Sequence, residues 1–440
     1  MKRIEVFAGE KVPEPFRLFQ LTDSFAEPSC HIYMEAQIFT PDSARLVLHR
    51  SAHPHGSDQY DPRHAYFLCD LENGGALTPL TFETGANAPC FSPDGKYFYY
   101  FVRQFDPEKH TGSILFKRCA LDGSGRVELG RTGPDAKEAQ PAFCMYPLST
   151  ISSDGGRIAV ASPLVRPDGD DGFPEHALWI FDTATGAVSV PVKGKHFCNL
   201  HMQYSRSPLA PRDLMIQHNH GSFGCEIPIP GLSPVQHVAA LDAESGFALR
   251  RISASSDPND NNTGFGIDIH LIRDDGTNWR EFGWGRDGVE FCQGHQCWRG
   301  ESEWAIGSTI LFTAPAAARQ ELVETRAVPG CGHRGRLTGG ICRNTLSRKT
   351  TPPHFLHFAT DRAGKRIVSD YEADNGEWHL YLGELGVPGQ DAASLQFILN
   401  LGSRKVSPWH PHPFLSPDGK KVFFNSSADG RLHAYALFLS

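Results

Sequence analysis

One local pattern recurs along the chain and constrains its fold more than any other feature. An aromatic or apolar residue is followed by a Ser/Thr-x-Asp-Gly turn, or a relative of it, and then by an alternating apolar run. The clearest copies are Phe91-Ser-Pro-Asp-Gly-Lys-Tyr-Phe-Tyr-Tyr-Phe101 and Leu415-Ser-Pro-Asp-Gly-Lys-Lys-Val-Phe-Phe424. Others begin at Phe39, Ile151 and Phe358, a degenerate copy begins at Ser207, and one starting at Trp298 keeps only the outline. Pro and Gly around an Asp specify a tight turn, and the apolar run after it specifies the second strand of a hairpin. The turn aspartates Asp42, Asp94, Asp154 and Asp213 lie 52, 60 and 59 residues apart, and Asp361 and Asp418 lie 57 apart. The 148 residues from Asp213 to Asp361 hold two units and an insertion. Seven units, each with room for a second hairpin, specify an all-β, single-domain, seven-bladed β-propeller spanning 1–440.

The 43 Gly, 32 Pro and 11% aromatic residues suit many short strands and turns better than helices. Second hairpins are visible at Leu178-Trp-Ile-Phe-Asp-Thr-Ala-Thr-Gly186 and His237-Val-Ala-Ala-Leu-Asp-Ala-Glu-Ser-Gly246. The N-terminal run Ile4-Glu-Val-Phe7 is expected to complete the last blade and close the ring. An insertion around 250–290, containing the polar run Asp257–Gly266, is assigned to the fifth unit. A second irregular loop around 328–350, containing Gly330–Gly340, is assigned to the sixth. Both are candidates for loops over the open face of the channel.

A net charge of −8 provides no broad basic field, so neither nucleic acid nor an anionic membrane is an expected partner. The eleven cysteines contain no CxxC pair, which favours reduced thiols over a disulfide framework or a zinc knuckle. Met1-Lys-Arg-Ile-Glu-Val-Phe-Ala8 offers no apolar core of signal-peptide length, so a cytoplasmic protein is expected. No Gly-x-Ser-x-Gly nucleophile elbow is present, which argues against a serine hydrolase.

The histidines fall at one structural address. In Ser407-Pro-Trp-His-Pro-His-Pro413, His410 and His412 are two residues apart, on the same side of an extended backbone. They stand just before the hairpin turn, where the innermost strand of a blade starts at the channel mouth. His201, His295 and His354 hold that place in units four, five and six. One such His is usually a packed core residue, but five at four consecutive addresses point to convergence on an axial site. Imidazole clusters suit Mn, Fe, Zn or Cu rather than Ca or Mg, and three histidines with open positions suit a catalytic ion.

Gly294-His-Gln-Cys-Trp298, His410-Pro-His-Pro-Phe-Leu-Ser-Pro-Asp-Gly419 and the seven-unit repeat together resemble the oligogalacturonate lyase family. The resemblance implies a propeller that cleaves uronate-containing oligosaccharides by β-elimination with a divalent metal, Mn²⁺ ahead of Zn²⁺, at the channel mouth. It assigns the metal to His295, His410 and His412. Where the family has a Gln ligand this chain has Ser407, leaving that coordination place to water, His354 or substrate. It assigns the base to His201, with His218 and His220 as further catalytic or substrate contacts. An Arg that assists in the family is replaced by Ala177, with His176 beside it.

The inventory suits that chemistry. Removing the C5 proton of a uronate requires its carboxylate to be neutralised, because negative charge grows there. A neutral His takes such a proton at ordinary pH. Arg206 and Arg299 are candidate carboxylate clamps, Ser407 and Tyr204 candidate substrate contacts, and Tyr33, Tyr146 or Tyr204 candidate donors to the leaving oxygen. The expected partner is an acidic oligosaccharide. The competing expectation is a non-catalytic propeller that binds a glycan or a protein.

Overall fold

The computed structural model describes residues 1–33, 36–53, 56–57, 61–106, 108–109, 111–132, 140–142, 145–166, 174–219, 222–223, 236–237, 241–242, 247–248, 267–284, 290–311, 320–329, 343–349, 355–403 and 409–439. Seven antiparallel sheets of four or five strands follow one another along the chain as the blades of a propeller. Blade one runs outward from Ser29–His31 through Arg45–Arg50 and Ala65–Asp70 to Ala76–Pro79. The innermost strands of blades two to seven are Ala86–Phe91, Ser149–Ile151, Gln203–Tyr204, Glu290–Trp298, Phe355–Thr360 and Phe414–Leu415.

The repeating turn has a repeating chemistry. Ser92, Ser152 and Ser416 each donate Oγ–H to the aspartate two residues on, at 2.6 Å. Thr40 does the same to Asp42. The serine oxygen also accepts the N–H five residues ahead, from Tyr97, Arg157 and Lys421. Ser and Asp thus satisfy the turn's own backbone donors, which a Gly or Ala there would leave to water. The glycine after the aspartate adopts a left-handed φ in each full copy: +69° at Gly95, +74° at Gly155 and +68° at Gly419. Apolar faces of neighbouring blades pack between the sheets, with Trp179, Trp378 and Trp409 fully buried.

The ring closes through the N-terminus, and of the expected run Ile4–Phe7 only Ile4 joins the last blade, at the end of its outermost strand. Arg17–Gln20 pairs with the last strand of blade seven, and Lys2–Ile4 pairs outside it. Val6–Phe7 instead forms a small hairpin with Glu10–Lys11. The long insertion lies in blade four rather than blade five. Asp213–Asn219 and Ile267–Arg273 pair with each other in that sheet, and the intervening chain leaves between them. The second irregular segment likewise belongs to blade five, since it separates that blade's outer strands Gln320–Arg326 and Arg343–Thr345. Both assignments move by one because the turn joins the first and second strands of a blade, so chain counted from turn to turn straddles two blades. Val328–Pro329 crosses to pair with Arg280–Glu281, giving blade four a fifth strand. Near His237, Leu241–Asp242 does pair with Phe247–Ala248, but outside the blade sheets. Asp257–Gly266 and Gly330–Gly340 lie outside the described residues.

Seven of the cysteines are described; all are buried and none is in a disulfide. Among the described residues no helix is long and apolar enough to cross a membrane.

Candidate metal centre at the channel mouth

Each innermost strand starts at the mouth and ends at the repeating turn, so side chains just before it face the mouth and those just after it face the far end. The mouth ends are irregular where the turn ends are uniform. Blades two, five and six carry bulges, between Asn87 and Cys90, Cys292 and Gln296, and Phe355 and Phe358. His201 and His412 hold left-handed backbones, with φ of 39° and 46°. A bulge or a left-handed residue turns a side chain away from strict alternation.

His410 and His412 do converge, with ring centroids 5.4 Å apart. The cause is the left-handed turn at His412 rather than an extended i, i+2 alternation. Pro411 between them is held from two sides: its carbonyl accepts the Asn425 N–H at 2.9 Å and lies 3.2 Å from Nε2 of His31 in blade one. The third ring is His357, from the blade-six bulge, 5.3 Å from His410 and 4.3 Å from His412. His357, His410 and His412 offer one ligand atom each, all within 4.8 Å of one another. The buried Asp370 carboxyl accepts the backbone N–H of His357 at 2.8 Å and lies 2.8 Å from its Nδ1. Burial pushes the Asp370 carboxyl up to about 7, against the opposing pull of its N–H donors. Three imidazoles with a carboxylate behind one of them is a donor set that fits a divalent transition ion.

His295 stands one ring further out, 4.8 Å from His357. Gly294 beside it has φ +92°, and a Cβ there would stand 3.1 Å from the Gln217 side chain. Burial, reinforced by His357, His201 and His410, holds the His295 ring well below the usual imidazole range, so it is neutral at ordinary pH. Its Nδ1 is buried with no hydrogen-bond partner. His201 faces the same space, 5.8 Å from the Tyr33 ring and 5.6 Å from Tyr146. Tyr33 lies 4.7 Å from His412, and Tyr146 donates its hydroxyl to Asn199 at 3.0 Å.

Several residues singled out in the sequence lie elsewhere. His218, on the second strand of blade four, lies in a buried chain: its Nδ1 is 3.3 Å from Nε2 of His270, whose Nδ1 reaches Glu281 at 2.8 Å. His218 stacks on Phe197 at 4.5 Å. Tyr204 is fully buried and donates to Asp274 at 3.1 Å, so it is a core residue and not a substrate contact. Arg299 is not a mouth clamp either. It is buried in an ion pair with Glu324 and donates to the carbonyls of Gly364 and Gly386. Arg206 lines a cavity of about 210 Å³ at the turn end, with Phe39, Phe91, Trp298 and Phe414 among its walls. Arg206 and Arg299 are misplaced for one reason, since both follow their inner strand instead of preceding it, while Tyr204 is the last residue of its own inner strand. His220, His354 and Ser407 lie outside the described residues.

Sequence reasoning passed over His357, Asp370 and His31. His357 closes the segment Pro353-His-Phe-Leu-His357 that contains His354, and the bulge between Phe355 and Phe358 carries its ring to His410 and His412. Asp370 had a signal: a carboxylate inside the apolar strand Arg366–Glu372 is rarely buried without donors waiting for it.

No family model and no curated protein matches the chain. Among solved structures it is similar to an oligogalacturonate lyase from Vibrio parahaemolyticus. That match has a TM-score of 0.63 at 16% identity, covering 100% of this chain and 98% of that one. An oligogalacturonate lyase in complex with manganese matches with a TM-score of 0.62 at 17% identity, covering 100% and 97%. A prolyl endopeptidase structure reaches 0.50 at 10% identity, covering 94% of this chain and 50% of that one. The resemblance read from the histidine motifs is thus matched at the level of the fold.

Proposed function

We propose that this protein is a metal-assisted lyase that cleaves uronate-containing oligosaccharides by β-elimination at the channel mouth. The observation that carries the reading is the convergence of His357, His410 and His412 within 4.8 Å, with His201, His295 and Tyr33 around them. Fold similarity to a manganese-bound oligogalacturonate lyase supports the class of substrate and of ion.

His357, His410 and His412 hold a divalent transition ion, Mn²⁺ first, and His295 offers the next imidazole. When bound, the ion withdraws negative charge from the uronate carboxylate. His201 takes the C5 proton, the C5–H electrons form the new C4–C5 double bond, and the C4–O bond breaks. Tyr33, 5.8 Å from His201, gives its proton to the leaving oxygen. The neutral His295 avoids adding positive charge where a cation must sit.

Incubating the protein with oligogalacturonate and Mn²⁺, while following ultraviolet absorbance of the unsaturated product, tests the reading. Product formation that stops in His201→Ala is the expected outcome. No product from any galacturonate, glucuronate or iduronate oligomer, with any divalent ion, overturns it.

A further inference from the structure

Asp370 lies in the middle of a core strand, fully buried, between Ser369 and Tyr371. A carboxylate in such a place is costly unless donors surround it. Its donors come from two blades. His357 of blade six supplies its backbone N–H and presents its Nδ1, both at 2.8 Å, and His412 of blade seven supplies its backbone N–H. Ser369 Oγ–H, next along the strand, holds the His357 carbonyl at 2.8 Å.

We propose that Asp370 is the positioning residue that assembles this metal site, fixing the tautomer of His357 and the backbone of His412 with one carboxylate. The inference rests on reading the three histidines as a metal site. Two of the groups that Asp370 meets, the backbone N–H of His357 and of His412, can only donate, which favours the ionised carboxylate, an acceptor toward Nδ1 as well. The proton of neutral His357 therefore sits on Nδ1, which leaves Nε2 as a bare lone pair for the ion. The same group stabilises the left-handed His412 backbone, a strained conformation for a non-glycine residue. That turn brings the His412 ring to 4.3 Å from His357. Two ligands far apart in sequence are thereby registered by a residue that does not itself touch the ion.

Asp370→Asn separates this role from bulk packing. Asn keeps the shape, but its NH₂ can face His357 Nδ1 and drive the imidazole proton onto Nε2, where it blocks the ligand atom. The expected result is a 10- to 100-fold loss of Mn²⁺ and Co²⁺ affinity, roughly the range for outer partners of ligating histidines. The visible Co²⁺ spectrum should change, and the metal-free unfolding midpoint should stay within about 3 °C of wild type. Independently of any variant, long-range ¹H–¹⁵N spectra of the metal-free wild type should show His357 protonated at Nδ1. Wild-type affinity in Asp370→Asn, or an Nε2–H tautomer in the wild type, overturns the inference. A wild-type protein that takes up no Mn²⁺, Co²⁺ or Zn²⁺ overturns the metal reading on which it rests.

Discussion

The two ends of the axial channel are lined by the same seven strands and differ in almost every other respect. At the turn end, four blades repeat one hydrogen bond, a Ser or Thr hydroxyl to an Asp carboxylate at 2.6 Å. The side chains there, Arg299 and Tyr204 among them, are spent on partners within the protein. Among the described residues at the mouth, bulges, left-handed histidines and a buried carboxylate stand in place of the ladder. The turn is alike in the four blades that keep its Ser or Thr and its Asp. Chemistry is placed where uniformity is not needed to fold.

That contrast can be broken experimentally. The largest expected effect is at the turn end. Arg299→Ala strands the buried Glu324 carboxylate and should cost about 3–5 kcal/mol of stability. Chemical denaturation measures this, and an unchanged KM for oligogalacturonate would separate Arg299 from the substrate. Next comes the mouth. His357→Ala removes one of three imidazoles, so metal affinity should fall by more than about 100-fold, exceeding the loss from an outer-partner change. Metal titration reads this loss, and the unfolding midpoint of the metal-free protein should fall as well, because the change takes a partner from the buried Asp370 carboxyl. Chelation is milder. Stripping the ion should stop product formation reversibly and remove about 2.7 kcal/mol of apparent stability relative to protein held at 100 times Kd. If chelation unfolds the protein outright, the mouth is structural after all.

The smallest effect concerns the repeating turn and pH. Asp94 is held down to about 2 from 3.8, first by the Ser92 hydroxyl. A carboxyl depressed in the folded state contributes stability above its unfolded value, which is lost as pH falls through the folded one. Asp42 and Asp418 are shifted in the same direction. Thermal midpoints should therefore drop between roughly pH 4 and 2. Ser92→Ala should lower the neutral-pH stability by about 1 kcal/mol and flatten that acid limb. An unchanged limb would detach the turn carboxylates from acid stability.

Much of this was legible in one sequence. The count of blades, the turn chemistry and the mouth as the address of the histidines all follow from spacing between Asp42 and Asp418. The last blade's His410 and His412 could be named because prolines fix their segment at the start of a strand. What could not be read was anything depending on where one blade leans on another. His357 joins His410 and His412 from a bulged segment of blade six, and a bulge is not announced by the residues around it. Arg206 and Arg299 look close to the histidines along the chain, yet an inner strand stands between them and the mouth, and Tyr204 ends such a strand with its side chain in the core.

The sequence alone determined the architecture, because turn propensity and strand alternation are local and each unit repeats them. The tertiary structure alone decided the site. His357, His410, His412 and Asp370 meet because ring packing brings blades six and seven together, and a left-handed residue and a bulge aim the rings. Neither a crossing between blades nor a single positive φ leaves a periodic trace in the chain, whereas Ser-x-Asp-Gly does so seven times over, in full or in outline.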